Sequence, residues 1–573
     1  MTIVDTLEKH AESRFHETAF TYLPDGEVEG EKRSFGELDR HARAVAHRLA
    51  LFGVSGRPVL LLVPELLKFI DAFIGSCYAG AIPVAAIVPK PNRSFDTIRA
   101  ISADAGVAAA IVPSRAFGYL KAALPENLRD VPWLYLDEID YSVEEPRRAA
   151  IKPDDIAFLQ YTSGSTGIPK GVVVKHSQLM HNETVIMKAM GFHDRSVMVS
   201  WLPFYHDMGL IGSVLQPLHT GFHCVIIPPA TFIQKPVRWL QAISKYRGTS
   251  AGAPSFAYDL CIARSKPEEI DQLDLSTWTV AYSGAEPVRA DMIRRFTKVF
   301  APAGFKASAF YPCYGLAECT LFATGIVAGS GAKILRVESE ALSQKIARTP
   351  TGDEPVIELV GCGVPGEGIE IVIVDPETRK ILPDDVVGEI WISGASVAAG
   401  YYKKPELTEE TFGAAPAGTS GKRFLRSGDL GFWHEGQVFI AGRIKDVIII
   451  RGRNHYPQDL ELTAQRTSPF LSIGAGAVVA IEKDGQVCIA LVQEVTREGW
   501  RSADADELAA GVREAIATEH GLHVHEVALI KTGALPRTSS GKVRRSLCAQ
   551  MLRAGEFEVL QTSESKAIAA AGG

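Results

Sequence analysis

Residues 156–175 read IAFLQYTSGSTGIPKGVVVK. The apolar ends, IAFLQY and VVVK, have the composition of buried strands, and the turn between them is rich in Gly, Ser and Thr and closes on Pro169 and Lys170. Backbone N–H groups in such a turn converge on an anion, and Ser/Thr hydroxyls add donors. Lys170 adds a positive charge, and no acid occurs between Asp155 and Glu183. A flexible Ser/Gly linker is the bland alternative; Pro169, Lys170 and the flanking strands argue against it. The turn is not a Walker loop, which needs Gly-Lys-Ser/Thr.

Outward from this segment, helical and strand-like stretches alternate. Apolar spacing predicts helices over Phe35–Leu51 and Leu66–Tyr78, and strands over Val59–Val63, Ile82–Val88, His223–Ile227 and Trp278–Ser283. Such alternation favours α/β layers with largely parallel sheets. After residue 356 the pattern changes to strands separated by Gly and Asp-Pro turns (VIELV, IEIVIVD, GEIWIS, VFIAGR), which reads as a smaller β-rich subdomain. A new α/β pattern begins after Gly442, with VIIIRG, SIGAGAVVAI, VCIALVQEV and a helix over Asp506–Glu519. The stretch Gly361–Gly366 fits G-x-G-x-x-G, but a dinucleotide fingerprint must open a helix. Here GIEIVIVD follows, a strand, so the glycines are read as a tight turn.

The chain has 573 residues, which at roughly 150 residues per domain suggests about four core-sized units. Its 46% hydrophobic and 22% charged residues exclude disorder, collagen and a disulfide miniprotein. The net charge of −7 argues against a dedicated nucleic-acid binder. Residues 442–573 hold sixteen basic and sixteen acidic side chains, so the whole excess lies in residues 1–441. The eight cysteines form no C-x-x-C pair, which fits buried, reduced thiols rather than zinc. No apolar run reaches the roughly 20 residues needed to span a bilayer, and the N-terminus lacks an apolar signal core. A cytoplasmic protein is expected.

Six segments occur in order: YTSGSTGIPKG (161–171), SGAEPVR (283–289), YGLAE (314–318), SGDLG (427–431), GRIKD (442–446) and PRTSSGKVRR (536–545). Together they resemble the adenylate-forming superfamily of acyl-CoA synthetases, luciferases and peptide-synthetase adenylation domains. SWLPFYHDMGLIG (200–212), APSFAYDLC (253–261) and RGRNHYPQDLE (451–461) look like its fatty acyl-AMP ligase branch. That branch passes the acyl group to carrier proteins rather than to coenzyme A. The implied fold is α/β: a large N-terminal domain, 1–441, of two α/β subdomains plus the β-rich one, and a small mobile C-terminal α/β domain, 442–573, hinged near Lys445.

The resemblance assigns roles residue by residue. Thr162, Ser163, Gly164, Ser165, Thr166, Gly167 and Lys170 would cradle the phosphates of ATP. Gly284, Ala285 and Glu286, with Tyr314, Gly315, Leu316 and Ala317, would enclose the adenine. Glu318 and Thr166 would hold Mg²⁺, a hard cation that takes one or two carboxylates plus phosphate oxygens; alone, Glu318 reads as an ordinary acid. Asp429 would accept from the ribose hydroxyls, its bland reading being a turn aspartate, and Arg443 would approach the ribose or phosphates. Lys542 lies in a stretch with six basic residues and no acid between Glu526 and Glu556. Such a stretch is usually a solvated face; the resemblance makes Lys542 the catalytic cation over the α-phosphate. His206, in an aromatic loop, would orient the fatty carboxylate, and Ala253, Pro254 and Phe256 would line the acyl pocket, with buried core as their alternative.

Forty-four residues separate Glu318 from Gly363. The part at 335–355 looks like the insertion of acyl-AMP ligases, which packs on the large domain and hinders coenzyme A chemistry; a tolerated surface loop is the alternative. The implied reaction is ATP-dependent formation of a fatty acyl-adenylate, then transfer to the phosphopantetheine thiol of an acyl carrier protein. The rivals are a long-chain fatty acyl-CoA ligase and a silent nucleotide-binding scaffold.

Overall fold

A computed structural model describes every residue except 89–94, 122–123, 143–148, 164–168, 420, 451–452, 484–485, 539–540 and 561–573. Its contacts divide the chain into two units. The first comprises Met1–Lys333, Cys362–Val372 and Trp391–Ser427; the second comprises Ile334–Gly361, Ile373–Ile390 and Gly428–Gly573.

The first unit is built on two sheets. In one, Trp133–Tyr135, Ala109–Val112, Pro58–Leu61, Ile82–Ala85 and Ile156–Ser163 run parallel in that order, and Pro169–Lys175 closes the edge antiparallel. Leu60, Val84, Ala110 and Leu159 are buried with Ile98 and Ile101. Strands covered on both faces read as continuous apolar runs, which is why VLLLV and IAFLQY were legible. The other sheet centres on parallel Thr18–Tyr22, His223–Ile226, Val197–Ser200, Ser250–Gly252, Val280–Ser283 and Phe310–Gly315, with shorter antiparallel strands at both edges. Trp239, Tyr258, Trp278 and Phe296 pack beside it, largely edge to face, the geometry ring quadrupoles prefer.

Local signals set the helices. Helix Phe35–Ala50 starts at a reciprocal capping box between Ser34 and Glu37, and Leu66–Tyr78 is a helix with the expected bounds. No helix follows Gly361–Gly366. Instead Val364–Pro365 pairs with Phe322–Gly325. Gly363 has φ +72°, and a Cβ there would lie 1.9 Å from the Gly325 carbonyl oxygen, so the glycine permits a close backbone approach.

In the second unit, Ile334–Glu338 and Val356–Val360 form an antiparallel hairpin. Its Leu335, Val337 and Leu359 share a core with Phe432, Phe439, Ala441 and Tyr456. A three-stranded sheet, Leu471–Lys483, Gln486–Val495 and Val524–Lys531, buries Val478, Leu491 and Leu529 against Leu460, Val512 and Ile516 of two helices. The division by contacts therefore departs from a boundary at 441/442. That boundary followed the change of pattern along the chain, whereas the shared core draws Ile334–Gly361 and the chain from Gly428 onward together with Tyr456. The expected insertion lies in this same hairpin. From it Glu340 pairs with Arg453 at 2.7 Å, and the Ser343 carbonyl accepts from Asn454 at 3.0 Å.

None of the eight cysteines forms a disulfide. Among the described residues, no helix is long and apolar enough to cross a membrane.

Candidate active site

The opening segment is a β-hairpin. Ile156–Ser163 and Pro169–Lys175 run antiparallel, with Thr162 opposite Lys170 and Ser163 opposite Pro169. Gly164, Ser165, Thr166 and Gly167 lie outside the described residues. The Lys170 ammonium stands 5.2 Å from the centre of the Tyr401 ring, close enough for a cation–π interaction.

Two parallel strands of the larger sheet, Val280–Ser283 and Phe310–Gly315, pair so that the first ends at Ser283 opposite Pro312 while the second runs on to Gly315. The expected adenine segments leave these ends, and the carboxyl ends of strands in open α/β sheets are where ligands bind. Gly284 passes close to the next strand, since a Cβ on it would sit 3.0 Å from the Cys313 carbonyl oxygen. Ala285 holds φ +67°, a left-handed conformation that costs a non-glycine residue about 1 kcal/mol or more. The Glu286 carboxylate accepts from the Phe256 amide at 2.9 Å, tying this segment to the expected acyl-pocket residues. After Tyr314 and Gly315 the chain makes a short turn over Ala317–Cys319. A Cβ on Gly315 would meet the Leu321 carbonyl oxygen at 1.8 Å. Thr320 has φ +64°, and its hydroxyl donates to the Ser396 carbonyl at 2.7 Å.

That turn presents Glu318. Its carboxylate accepts from the Tyr401 hydroxyl at 2.8 Å, and its backbone carbonyl accepts from the Ala398 amide at 2.9 Å. Burial, and then the adjacent Glu318, push the Tyr401 phenol well above its ordinary pKa, so it remains a donor at neutral pH. Among the described residues no group of three or more His, Cys, Asp or Glu gathers as a metal site. A single carboxylate suits Mg²⁺, which takes one or two carboxylates and keeps waters and phosphate oxygens as its other ligands.

His206 ends the loop Trp201–Tyr205. Trp201 stacks on Phe232 at 3.9 Å and meets Phe256 edge to face at 6.1 Å, while the Tyr205 carbonyl accepts from the Gln160 amide at 3.0 Å. The loop folds back on itself so closely that a Cβ at Gly209 would lie 2.1 Å from the Pro203 carbonyl oxygen. The helix that begins at Asp207 widens to a π-helix over Ile211–Leu215, a distortion frequent at functional sites. Ala253 is fully buried and donates its amide to the Tyr282 carbonyl. The structure thus brings the His206 loop, Pro254, Phe256 and Glu286 into one neighbourhood. Tyr258 of the same motif belongs to the aromatic core.

In the second unit, Asp429 and Arg443 are cross-strand partners, and the Arg443 Nε donates to the buried Asp429 carboxylate at 2.8 Å. The amide before it, Gly428, donates to Glu389. Lys445 occupies an exposed turn closed by bonds from the Asp446 and Val447 amides to the Arg443 carbonyl. Lys542 sits on a tight loop held by reciprocal bonds with Thr538 at 3.1 and 2.7 Å, with Gly541 at φ +86°. Arg537 braces this loop through the Gly541 and Gly474 carbonyls. Immediately downstream, Arg545 makes a two-pronged bond to Glu461, both prongs 2.8 Å, and reaches Asp446 at 3.5 Å.

Sequence reasoning missed Tyr401 and the Arg545–Glu461 pair. Tyr401 follows Gly400 in a stretch with no motif of its own, and its partners lie 83 and more residues away. The basic run at 531–553 pointed to Arg545 but gave no hint of its carboxylate.

The chain belongs to the AMP-binding enzyme family, whose model matches residues 7–402. A second model, the AMP domain of Disco-interacting protein 2-like proteins, matches residues 445–562. Among individual relatives, the medium-chain-fatty-acid–[acyl-carrier-protein] ligase JamA of Moorena producens is 39% identical over 99% of this chain and 98% of its own. The long-chain-fatty-acid–AMP ligase FadD26 of Mycobacterium marinum is 35% identical over 98% of this chain and 99% of its own. The fold matches the crystal structure of a Legionella pneumophila fatty acyl-adenylate ligase in complex with acyl adenylate and pyrophosphate. The TM-score is 0.76 at 37% identity, covering 98% of this chain and 97% of that one.

Proposed function

We propose that this protein is a fatty-acid–AMP ligase. It activates a fatty acid with ATP to the acyl-adenylate, releases pyrophosphate, and hands the acyl group to the phosphopantetheine thiol of an acyl carrier protein in the cytoplasm. The observation that carries this reading is the convergence of Lys170 and Glu318 on Tyr401, in a chain that aligns end to end with a ligase solved together with acyl adenylate and pyrophosphate.

A fatty carboxylate is already an anionic nucleophile, so no general base is required. One carboxylate oxygen bonds to the α-phosphorus while the bond from that phosphorus to the bridging β-phosphate oxygen breaks, and pyrophosphate leaves with the electron pair. The protein's task is to position two anions and neutralise them. Lys170 and the Gly-rich turn take phosphate oxygens, Glu318 holds Mg²⁺, Asp429 and Arg443 hold the ribose side, and His206 turns the carboxylate toward phosphorus. When bound, Mg²⁺ supplies charge neutralisation on the phosphates. Lys542 stabilises charge that grows in the transition state. A swing of the C-terminal part about Lys445, where the second family model begins, then admits the acceptor. The thiol, losing its proton, attacks the acyl carbonyl, and AMP departs.

Incubation with ATP, Mg²⁺ and saturated acids from short to long, read by pyrophosphate release and mass detection of acyl-AMP, tests this. Adenylate formed best from medium or long chains supports it. Absence of pyrophosphate release with every acid overturns it.

A further inference from the structure

We infer that Tyr401 is a positioning residue of the ATP site: it sets the Glu318 carboxylate for the metal and the Lys170 ammonium for phosphate. The inference rests on reading Glu318 as the Mg²⁺ carboxylate. Glu318 is reached from the strand Phe310–Gly315 and Lys170 from the strand Pro169–Lys175, and one aromatic side chain meets both. Its hydroxyl donates to the Glu318 Oε1 at 2.8 Å, and its ring centre lies 5.2 Å from the Lys170 Nζ.

The ring has little freedom. Tyr401 is 9% exposed and packs edge to face on Phe412 at 5.3 Å. Its amide donates to the Thr408 hydroxyl at 2.9 Å. On either side of it in sequence, the Gly400 carbonyl accepts from the Val173 amide at 2.9 Å and the Tyr402 amide donates to the Gly171 carbonyl at 2.8 Å. These bonds fasten Tyr401 to the very strand that carries Lys170. The Ala398 amide, three residues earlier, bonds the Glu318 carbonyl. Gly400 is what allows the approach: its φ is +128°, and a Cβ there would strike Thr408 at 2.3 Å.

An opposite-charge pair left to itself closes into direct contact, which would spend each charge on the other. A phenol between them instead offers the cation a π face and the carboxylate a neutral donor. Both groups are then held at fixed positions by one side chain.

The test separates the hydroxyl from the ring. ATP binding is measured by titration calorimetry without fatty acid, once in EDTA and once in Mg²⁺, for the wild type and for Tyr401→Phe, Tyr401→Leu and Glu318→Ala. Tyr401→Phe should bind ATP normally in EDTA and lose about tenfold of the Mg²⁺-dependent gain, the scale of one hydrogen bond to a charged group. Tyr401→Leu should lose that gain and also about threefold of the affinity in EDTA, through Lys170. A loss in Glu318→Ala with none in Tyr401→Phe overturns the role of Tyr401 alone, as does a Tyr401→Phe protein that responds more strongly to Mg²⁺. A full Mg²⁺ response in Glu318→Ala overturns the reading of Glu318 beneath it.

Discussion

In the first unit the groups assigned to ATP are set by backbone. Ala285 and Thr320 hold left-handed φ values, Gly315 admits the neighbouring backbone at a distance no Cβ would allow and Gly284 packs tightly on Cys313, and main-chain bonds tie Tyr401 and Glu318 in place. In the second unit ion pairs stand at or beside the corresponding groups. Asp429 is held by Arg443, and the loop bearing Lys542 leads into Arg545, which is held by Glu461 and Asp446. Backbone strain and packing cannot be exchanged without unfolding, which suits the fixed ATP receptor proposed for the first unit. Side-chain ion pairs can be traded for contacts with a polyanion at modest cost, which suits a part whose partners change during a two-step reaction.

The sharpest way to break this contrast is to remove Lys542, the cation proposed to act on the transition state from the second unit. Lys542→Ala should lower pyrophosphate release by about 10³-fold and leave ATP binding to the fixed receptor nearly unchanged. Pyrophosphate release at the wild-type rate would remove Lys542 from the mechanism. Next in size, Arg545→Met leaves Glu461 without its two-pronged partner. The pair is partly shielded, with side-chain exposures of 23% and 10%, so the second unit should lose about 2 kcal/mol of stability in denaturant unfolding, while protection of the first unit's amides is unaltered.

Acid should weaken the units unequally. Burial holds His219 and His223 of the first unit, and His520 of the second, at a pKa of about 4. These lie below the unfolded value of about 6.5, so between pH 6.5 and 4 the unfolded chain binds more protons than the native one. Stability therefore falls as pH drops through that window, by about 1.4 kcal/mol per pH unit for each such histidine. Two of the three sit in the first unit, so hydrogen exchange at pH 5 should rise there first, and His223→Gln should flatten the response. Equal, pH-independent exchange in both units would contradict this. The smallest effect belongs to Asp429→Ala, which takes one carboxylate partner from Arg443 and removes the proposed ribose acceptor. The KM for ATP should rise about tenfold with kcat less affected.

What the sequence made legible follows the range of the interactions. Helix Leu66–Tyr78 and strand Val356–Val360 came out with their observed bounds because apolar spacing is a local signal. YTSGSTGIPKG, YGLAE and SGDLG were legible because each holds its chemistry within a few residues. Tyr401 and Glu461 were not, because what makes them matter is a partner 83 or 84 residues away, and nothing in GYYKKPE or PQDLELT names it. The contact-defined units differ from a boundary at 441/442 for the same reason. That boundary was drawn where the strand pattern changes, whereas the core joins Val337 of the hairpin to Phe439 and to Tyr456, across more than a hundred residues of chain.

The identity of the acceptor is the most direct test of the account. The enzyme is given ATP, Mg²⁺, a medium-chain fatty acid, and equal concentrations of a phosphopantetheinylated acyl carrier protein and coenzyme A, and both thioesters are quantified by mass spectrometry. The account predicts acyl-carrier protein and AMP, with acyl-adenylate accumulating when the carrier is withheld even though coenzyme A is present. Efficient formation of acyl-coenzyme A would contradict it.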